Sequence, residues 1–321
     1  MTLFMNGCLC ISKSRRTPEV QLTVLIRKGQ LKQMKEVIRK GVDINVRNAS
    51  GQTPLHISVI YSSMECVEFL LQCQDIDKNP VDCCGATPLM RASCSGNVDA
   101  VEMLVKYGCS VDFHSRFCCT TAIEYTLSSF CCVIPTIGSM DDSVTCHSVI
   151  ETMKTIQKHY IHSGKYECLL LLLAAGADVN IQNKNGKTPL HQAIEEFNLE
   201  AVRILIAYNC CLDTEAIYKK PLLGLTSVTP VLLAMYLKQL PVIHLLLKSG
   251  CDVTHVWHAL NSFNSEPVVH AYVCHVLLQP KTLKLLSRNR IRTCVGTPVK
   301  ENVYALQLPV PVKKYIIQSI M

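Results

Sequence analysis

A four-residue signature recurs along this chain and constrains it more than any other feature. It reads Thr53-Pro54-Leu55-His56, Thr87-Pro88-Leu89-Met90 and Thr188-Pro189-Leu190-His191, with a weaker copy at Thr229-Pro230-Val231-Leu232. Thr53 and Thr87 are 34 residues apart; the same step reaches Thr121 and Thr155, 33 more reaches Thr188, and 33 backwards reaches Val20. Seven candidate units therefore start at Val20, Thr53, Thr87, Thr121, Thr155, Thr188 and Thr229. A fixed period of this size implies a chain that grows by stacking like units, each burying one face against the next. By length alone 321 residues would divide into two or three domains; the period replaces that division with one array.

The units agree at other offsets. Nine residues after the start stand Gly29, Ser62, Gly96 and Gly164, suited to a tight turn between helices. Twenty-one residues after it stand Gly41, Gly108, Gly176, Asn209 and Gly250, where a helix can end in the left-handed conformation. Between these marks runs an i, i+3, i+4 apolar stripe: Met34/Val37/Ile38, Val67/Leu70/Leu71, Val101/Leu104/Val105, Leu169/Leu172/Leu173, Val202/Leu205/Ile206 and Ile243/Leu246/Leu247. Such spacing predicts the buried face of an amphipathic helix. Thr-Pro at the head of a unit has its own cause, since Thr caps free amides and Pro suits the first helical position.

Two places depart from the pattern. After Thr121 the stripe positions are Pro135, Gly138 and Ser139, which cannot make a buried helical face. Residues 130–147 read as an irregular insertion or a decayed second helix. From Thr188 to Thr229 the step is 41, so extra residues lengthen the connection around Thr214 to Thr226. Long connections between rigid units are more often functional or mobile than the units are.

Residues 17–256 closely resemble the ankyrin repeat, a pair of short antiparallel helices followed by a loop or β-turn. The resemblance implies an all-α solenoid of helix-turn-helix units. It also implies that His56 and His191 are structural, bonding between neighbouring units; no nucleophile or carboxylate recurs beside them. Loop tips and first helices would form a concave binding surface, with Arg47, Asn48, Arg116, Phe117, Asn183 and Lys184 as target-binding candidates. Phe117 has two readings, a binding tip or a side chain folded beneath the insertion.

Composition narrows the functional classes. Hydrophobic residues at 49% and charged residues at 18% are too apolar for a mainly disordered chain. The longest apolar run, 168–175, is eight residues against the ~20 of a membrane span. Leu3, Phe4 and Met5 precede the basic Lys13, Arg15 and Arg16, the wrong order for a secretory signal. Nineteen cysteines without such a signal point to a reducing compartment, the cytoplasm with the nucleus as alternative. Four adjacent pairs occur, Cys83-Cys84, Cys118-Cys119, Cys131-Cys132 and Cys210-Cys211, but no CxxC and no zinc-finger spacing. The formal charge of +7 comes from scattered basic residues, and seven Phe and one Trp supply few stacking platforms, so nucleic acid is a weak reading. No Gly-rich phosphate loop, nucleophile elbow or HExxH is present, which argues against an enzyme and requires no cofactor.

Beyond Val256 the period stops. Residues 257–280 fit capping helices, with Trp257, Leu260, Val269, Val273 and Leu277 as apolar positions. The segment from Thr282 resembles the first helix of a SOCS box, which docks on elongin C. Leu283, Ser287 and Ile291 fall on one helical face, Ser287 standing where the family usually has Cys. Leu308-Pro309-Val310-Pro311 resembles the segment that selects the type-five cullin. A second register starting at Leu306 keeps Val312 and Tyr315 in place but puts Gln307 where the first Pro belongs, and both registers stay open. The resulting organisation is an N-terminal segment 1–16, repeats 17–256 in about six good units with an irregular insertion near 130–147, connecting helices 257–280 and a small helical SOCS-box-like domain 281–321. The resemblance implies a substrate-recognition adaptor of a ubiquitin ligase, with elongin B/C, a type-five cullin, a RING protein and an unknown protein target as partners. The alternative is an ankyrin scaffold that recruits no ligase.

Overall fold

The computed structural model describes residues 18–115, 120–128, 164–222, 225–252, 256 and 271–275. Within them the chain forms six helix pairs: α1 (Pro18–Arg27) with α2 (Leu31–Arg39), α3 (Pro54–Ile60) with α4 (Met64–Gln72), α5 (Pro88–Ser95) with α6 (Val98–Lys106), α7 (Ala122–Leu127) with α8 (164–174), α9 (Pro189–Glu195) with α10 (Leu199–Ala207), and α11 (Pro230–Tyr236) with α12 (Leu240–Ser249). The first helices form one row, α1 on α3, α3 on α5, α5 on α7, α7 on α9 and α9 on α11. The second helices form the row behind, α4 on α6 and α10 on α12.

The apolar stripe is what joins the rows. Met34, Val67, Leu70, Val101, Leu104, Leu172, Val202, Leu205, Ile243 and Leu246 have no exposed surface and belong to one continuous core with Leu55, Leu89 and Leu190 of the first row. Losing one such leucine to alanine costs about 2–5 kcal/mol. Val256 and Val273 extend that core at its C-terminal end, where Tyr272 lies 6.3 Å from the His244 ring of α12.

The fourth pair draws on two of the seven candidate starts. α7, capped by Thr121, contacts both α5 and α9, so a single first helix stands between them. Its partner is α8, which begins at Gly164. Lys165 Nζ donates to the Ser128 carbonyl at 2.7 Å, holding the end of α7 beside the start of α8. Thr121 and the helix after Gly164 are thus one repeat, interrupted after Ser128; Thr155 and the segment 130–147 lie outside the described residues. Gly164 itself is pressed against the previous repeat, where an added Cβ would sit 2.3 Å from the Gly96 carbonyl oxygen.

The long connection before the sixth repeat is where strands form among the described residues. It forms an antiparallel hairpin, β1 (Ala216–Leu222) and β2 (Leu225–Val228), with Ala216 opposite Val228. Ile217 N donates to Asn185 O at 2.7 Å, seating the hairpin against the preceding loop.

Candidate protein-interaction surface

One edge of the array is built from inter-repeat loops, and an Asx residue recurs there for a local reason. Asn48 Oδ1 accepts the backbone N–H groups of Ser50 and Gln52, both at 2.9 Å. Asp82 Oδ1 accepts those of Cys84 at 2.9 Å and Ala86 at 3.0 Å, and Asn183 Oδ1 those of Asn185 at 2.9 Å and Lys187 at 3.1 Å. These side chains close their own turns. Asn48 and Asn183 are therefore engaged within the loops, while the neighbouring Arg47 and Lys184 are exposed. Arg47 also braces two loops together, its guanidinium donating to Gly51 O at 3.1 Å and to Val81 O of the next loop. Arg116 and Phe117 lie outside the described residues.

A second row of Asx residues ties each loop to the next. Asn45, Asn79, Asp112, Asn180 and Asp213 accept the backbone N–H of Asp77, Ser110, Asp178, Cys211 and Asp252 at 2.6–3.0 Å. This ladder crosses every junction from the first repeat to the sixth. Each bond contributes about 1 kcal/mol net, but together they set the loops at a common height.

Beneath the loops the first helices carry further inter-repeat bonds. His56 Nδ1 accepts the Thr53 N–H at 3.2 Å, which leaves Nε2 as the protonated nitrogen donating to Ala86 O of the next repeat at 3.0 Å. His191 repeats this geometry with Thr188 at 3.3 Å and Val228 at 3.2 Å. Burial lowers both imidazoles to about 4, so they stay neutral. Glu124 occupies the same position in the fourth repeat. Its Oε2 accepts the Thr121 N–H at 2.9 Å, its Oε1 is buried without a hydrogen-bond partner, and burial pushes the carboxyl up to about 7.

The hairpin stands on a polar cluster. Lys187 Nζ lies 2.6 Å from Glu195 Oε1 and 4.4 Å over the Tyr218 ring, and Tyr218 OH donates to the same Glu195 oxygen at 2.8 Å. Ile217, on the alternate face of β1, is 62% exposed, so an apolar side chain is presented beside a fixed tyrosine.

Sequence reasoning passed over the opposite edge. Phe197 occupies the turn position of Gly29 and Gly96, with φ of 55°, and is 63% exposed. A bulky side chain in left-handed backbone is uncommon, and its offset of nine from Thr188 was the available signal. Beside it Thr126, Ser128, Lys165 and Asn198 line a cavity of about 260 Å³.

Comparison with known proteins agrees with this architecture. The family description for ankyrin repeats in three copies matches residues 22–115 and 158–256, and that for the SOCS box matches residues 279–317. The mouse (Mus musculus) B-cell lymphoma 3 protein homolog is 27% identical over 212 residues, covering 63% of this chain and 45% of that protein. Human (Homo sapiens) Rabankyrin-5 is 26% identical over 235 residues, covering 70% of this chain and 19% of that protein. The chain thus spans less than half the length of either relative. The crystal structure of the human ASB11 ankyrin repeat domain superposes with a TM-score of 0.53 at 21% identity, covering 81% of this chain and 98% of that one, and shows the same fold. With an array of this construction followed by that C-terminal box, the chain belongs to the ankyrin-repeat and SOCS-box family.

Proposed function

We propose that this protein is the substrate-recognition adaptor of an elongin B/C–cullin–RING ubiquitin ligase. The observation that carries the reading is the SOCS-box match at 279–317, which follows the ankyrin-repeat match ending at 256 in the sequence. In this reading Leu283, Ser287 and Ile291 face elongin C, and Leu308, Pro309, Val310 and Pro311 meet a type-five cullin. The loop edge holds the target, with Arg47, Arg116, Phe117 and Lys184 as contacts; Asn48 and Asn183 shape their turns. The adaptor performs no chemistry. A RING protein and its conjugating enzyme transfer ubiquitin, and the adaptor raises the local concentration of target lysines near them.

Ser287 in place of the usual Cys favours a second reading, an ankyrin scaffold without ligase recruitment. Affinity purification with mass spectrometry separates the two, comparing the intact chain with one ending at Gln279. The adaptor predicts elongin B, elongin C and a cullin with the intact chain only, and target proteins with both. A scaffold retains its targets and captures no elongin in either form.

A further inference from the structure

Cys83 and Cys84 form a paired thiol site on the loop before α5. Both side chains are exposed and their sulfurs lie 4.0 Å apart. Cys210-Cys211, the other adjacent pair among the described residues, has one thiol buried.

The loop holds the pair in place from below. Cys83 N donates to Ser50 O of the preceding loop at 3.0 Å, and Cys84 N to Asp82 Oδ1 at 2.9 Å. Gly51 makes the first bond possible, because a Cβ there would come within 2.9 Å of Cys83 N. Asp82 is itself fixed by the buried Arg91, whose Nε donates to Oδ2 at 2.8 Å.

We infer that Cys83 and Cys84 are a bidentate site for a thiophilic centre that takes two thiolates, such as a trivalent organoarsenical. Trivalent arsenic bonded to one carbon and two sulfurs is pyramidal, with angles near a right angle, so the two exposed thiols close inward from 4.0 Å when they chelate it. A closed zinc site would need two further ligands, and no group of three His, Cys, Asp or Glu side chains could hold a metal among the described residues. A direct disulfide is disfavoured, because adjacent Cα atoms stand about 3.8 Å apart and disulfides usually need about 4.4 Å or more. The arsenical reaction is balanced without an oxidant. Two S–H bonds break, two As–S bonds form, the arsine-oxide oxygen leaves as water with both protons, and arsenic stays trivalent.

The probe is phenylarsine oxide, added below one equivalent to the full chain in monothiol buffer and followed by intact mass and tryptic mapping. Cleavage after Lys78 and Arg91 yields a peptide, 79–91, whose cysteines are this pair alone. The expected adduct is one arsenic bridging that peptide. Cys83→Ser and Cys84→Ser should each weaken binding about 100-fold by removing the chelate, and Cys211→Ser should not. Melting curves of the two variants should match the parent, since both side chains are exposed. Bridging adducts elsewhere in the chain, or single variants that bind like the parent, overturn the assignment.

Discussion

Asp112 Oδ1 accepts the backbone N–H of Asp178 at 3.0 Å, across 66 positions of sequence. The equivalent bonds from Asn45, Asn79 and Asn180 cross 32, 31 and 31 positions. The difference is about one repeat's length of sequence, and it falls between Ser128 and Gly164. Ala122–Leu127 and the helix from Gly164 already supply the first and second helices of the fourth repeat. Excising 130–162 and closing the gap with a two-residue turn should leave a cooperatively unfolding array, with a melting temperature within a few degrees of the parent. Loss of cooperative unfolding would show that the excised residues contribute to the core.

The buried pair of Asp82 and Arg91 is a second stability test. Their side chains are 1% and 6% exposed, and removing one partner leaves the other charge without compensation. Arg91→Met should cost about 3 kcal/mol in urea unfolding, and adding Asp82→Asn should recover much of it. An Arg91→Met midpoint equal to the parent's would contradict this.

The histidines and Glu124 act on stability in opposite pH directions. His56 and His191 fall from 6.5 to about 4, so between those values the unfolded chain binds protons the folded chain refuses. Stability present above pH 6.5 is lost as pH falls through that window, on the order of 3 kcal/mol per histidine. Glu124 rises from 4.5 to about 7, so the folded chain keeps a proton the unfolded chain has released. Its contribution, of similar order, is lost as pH rises from 4.5 to 7. Stability should therefore peak near pH 6.5, and Glu124→Gln should remove the decline above it. Identical urea midpoints for parent and variant from about pH 6 to 8 would refute the Glu124 assignment.

The repeats were legible in the sequence because their determinants are local. Stripe residues such as Leu70, Leu104 and Leu205 recur at helical spacing and are buried where that spacing puts them. The histidine of the tetrad was legible as structural from the family resemblance, with no nucleophile or carboxylate recurring beside it. Thr121 and Thr155 read as two starts because Gly164 and Leu169, Leu172 and Leu173 fit the offsets of a unit beginning at 155. A period search sees the second helix of a repeat without seeing which first helix it packs on; only the contacts of α7 reveal that. The hairpin at 216–228 escaped because Lys219, Lys220 and Pro221 break the strand alternation. Phe197 escaped because a turn was expected to carry glycine. On the binding edge, Asn48 and Asn183 looked like free polar tips, and only the geometry shows their oxygens closing the turns.

The target edge has its own test. Aromatic and Arg side chains dominate binding energy at interfaces. Arg116→Ala with Phe117→Ala should lose captured target proteins while elongin capture and the melting curve stay unchanged. A clear drop in melting temperature would assign Phe117 to packing instead.

Recruitment of elongin B/C by the C-terminal box is tested by direct binding of purified components. The parent chain should form a stable complex with elongin B/C by calorimetry. A central apolar anchor is worth about 2 kcal/mol or more, so Leu283→Asp should weaken binding at least about 30-fold while helical content by circular dichroism stays unchanged. Wild-type affinity in the Leu283→Asp chain, or no complex with the parent, would contradict the adaptor account.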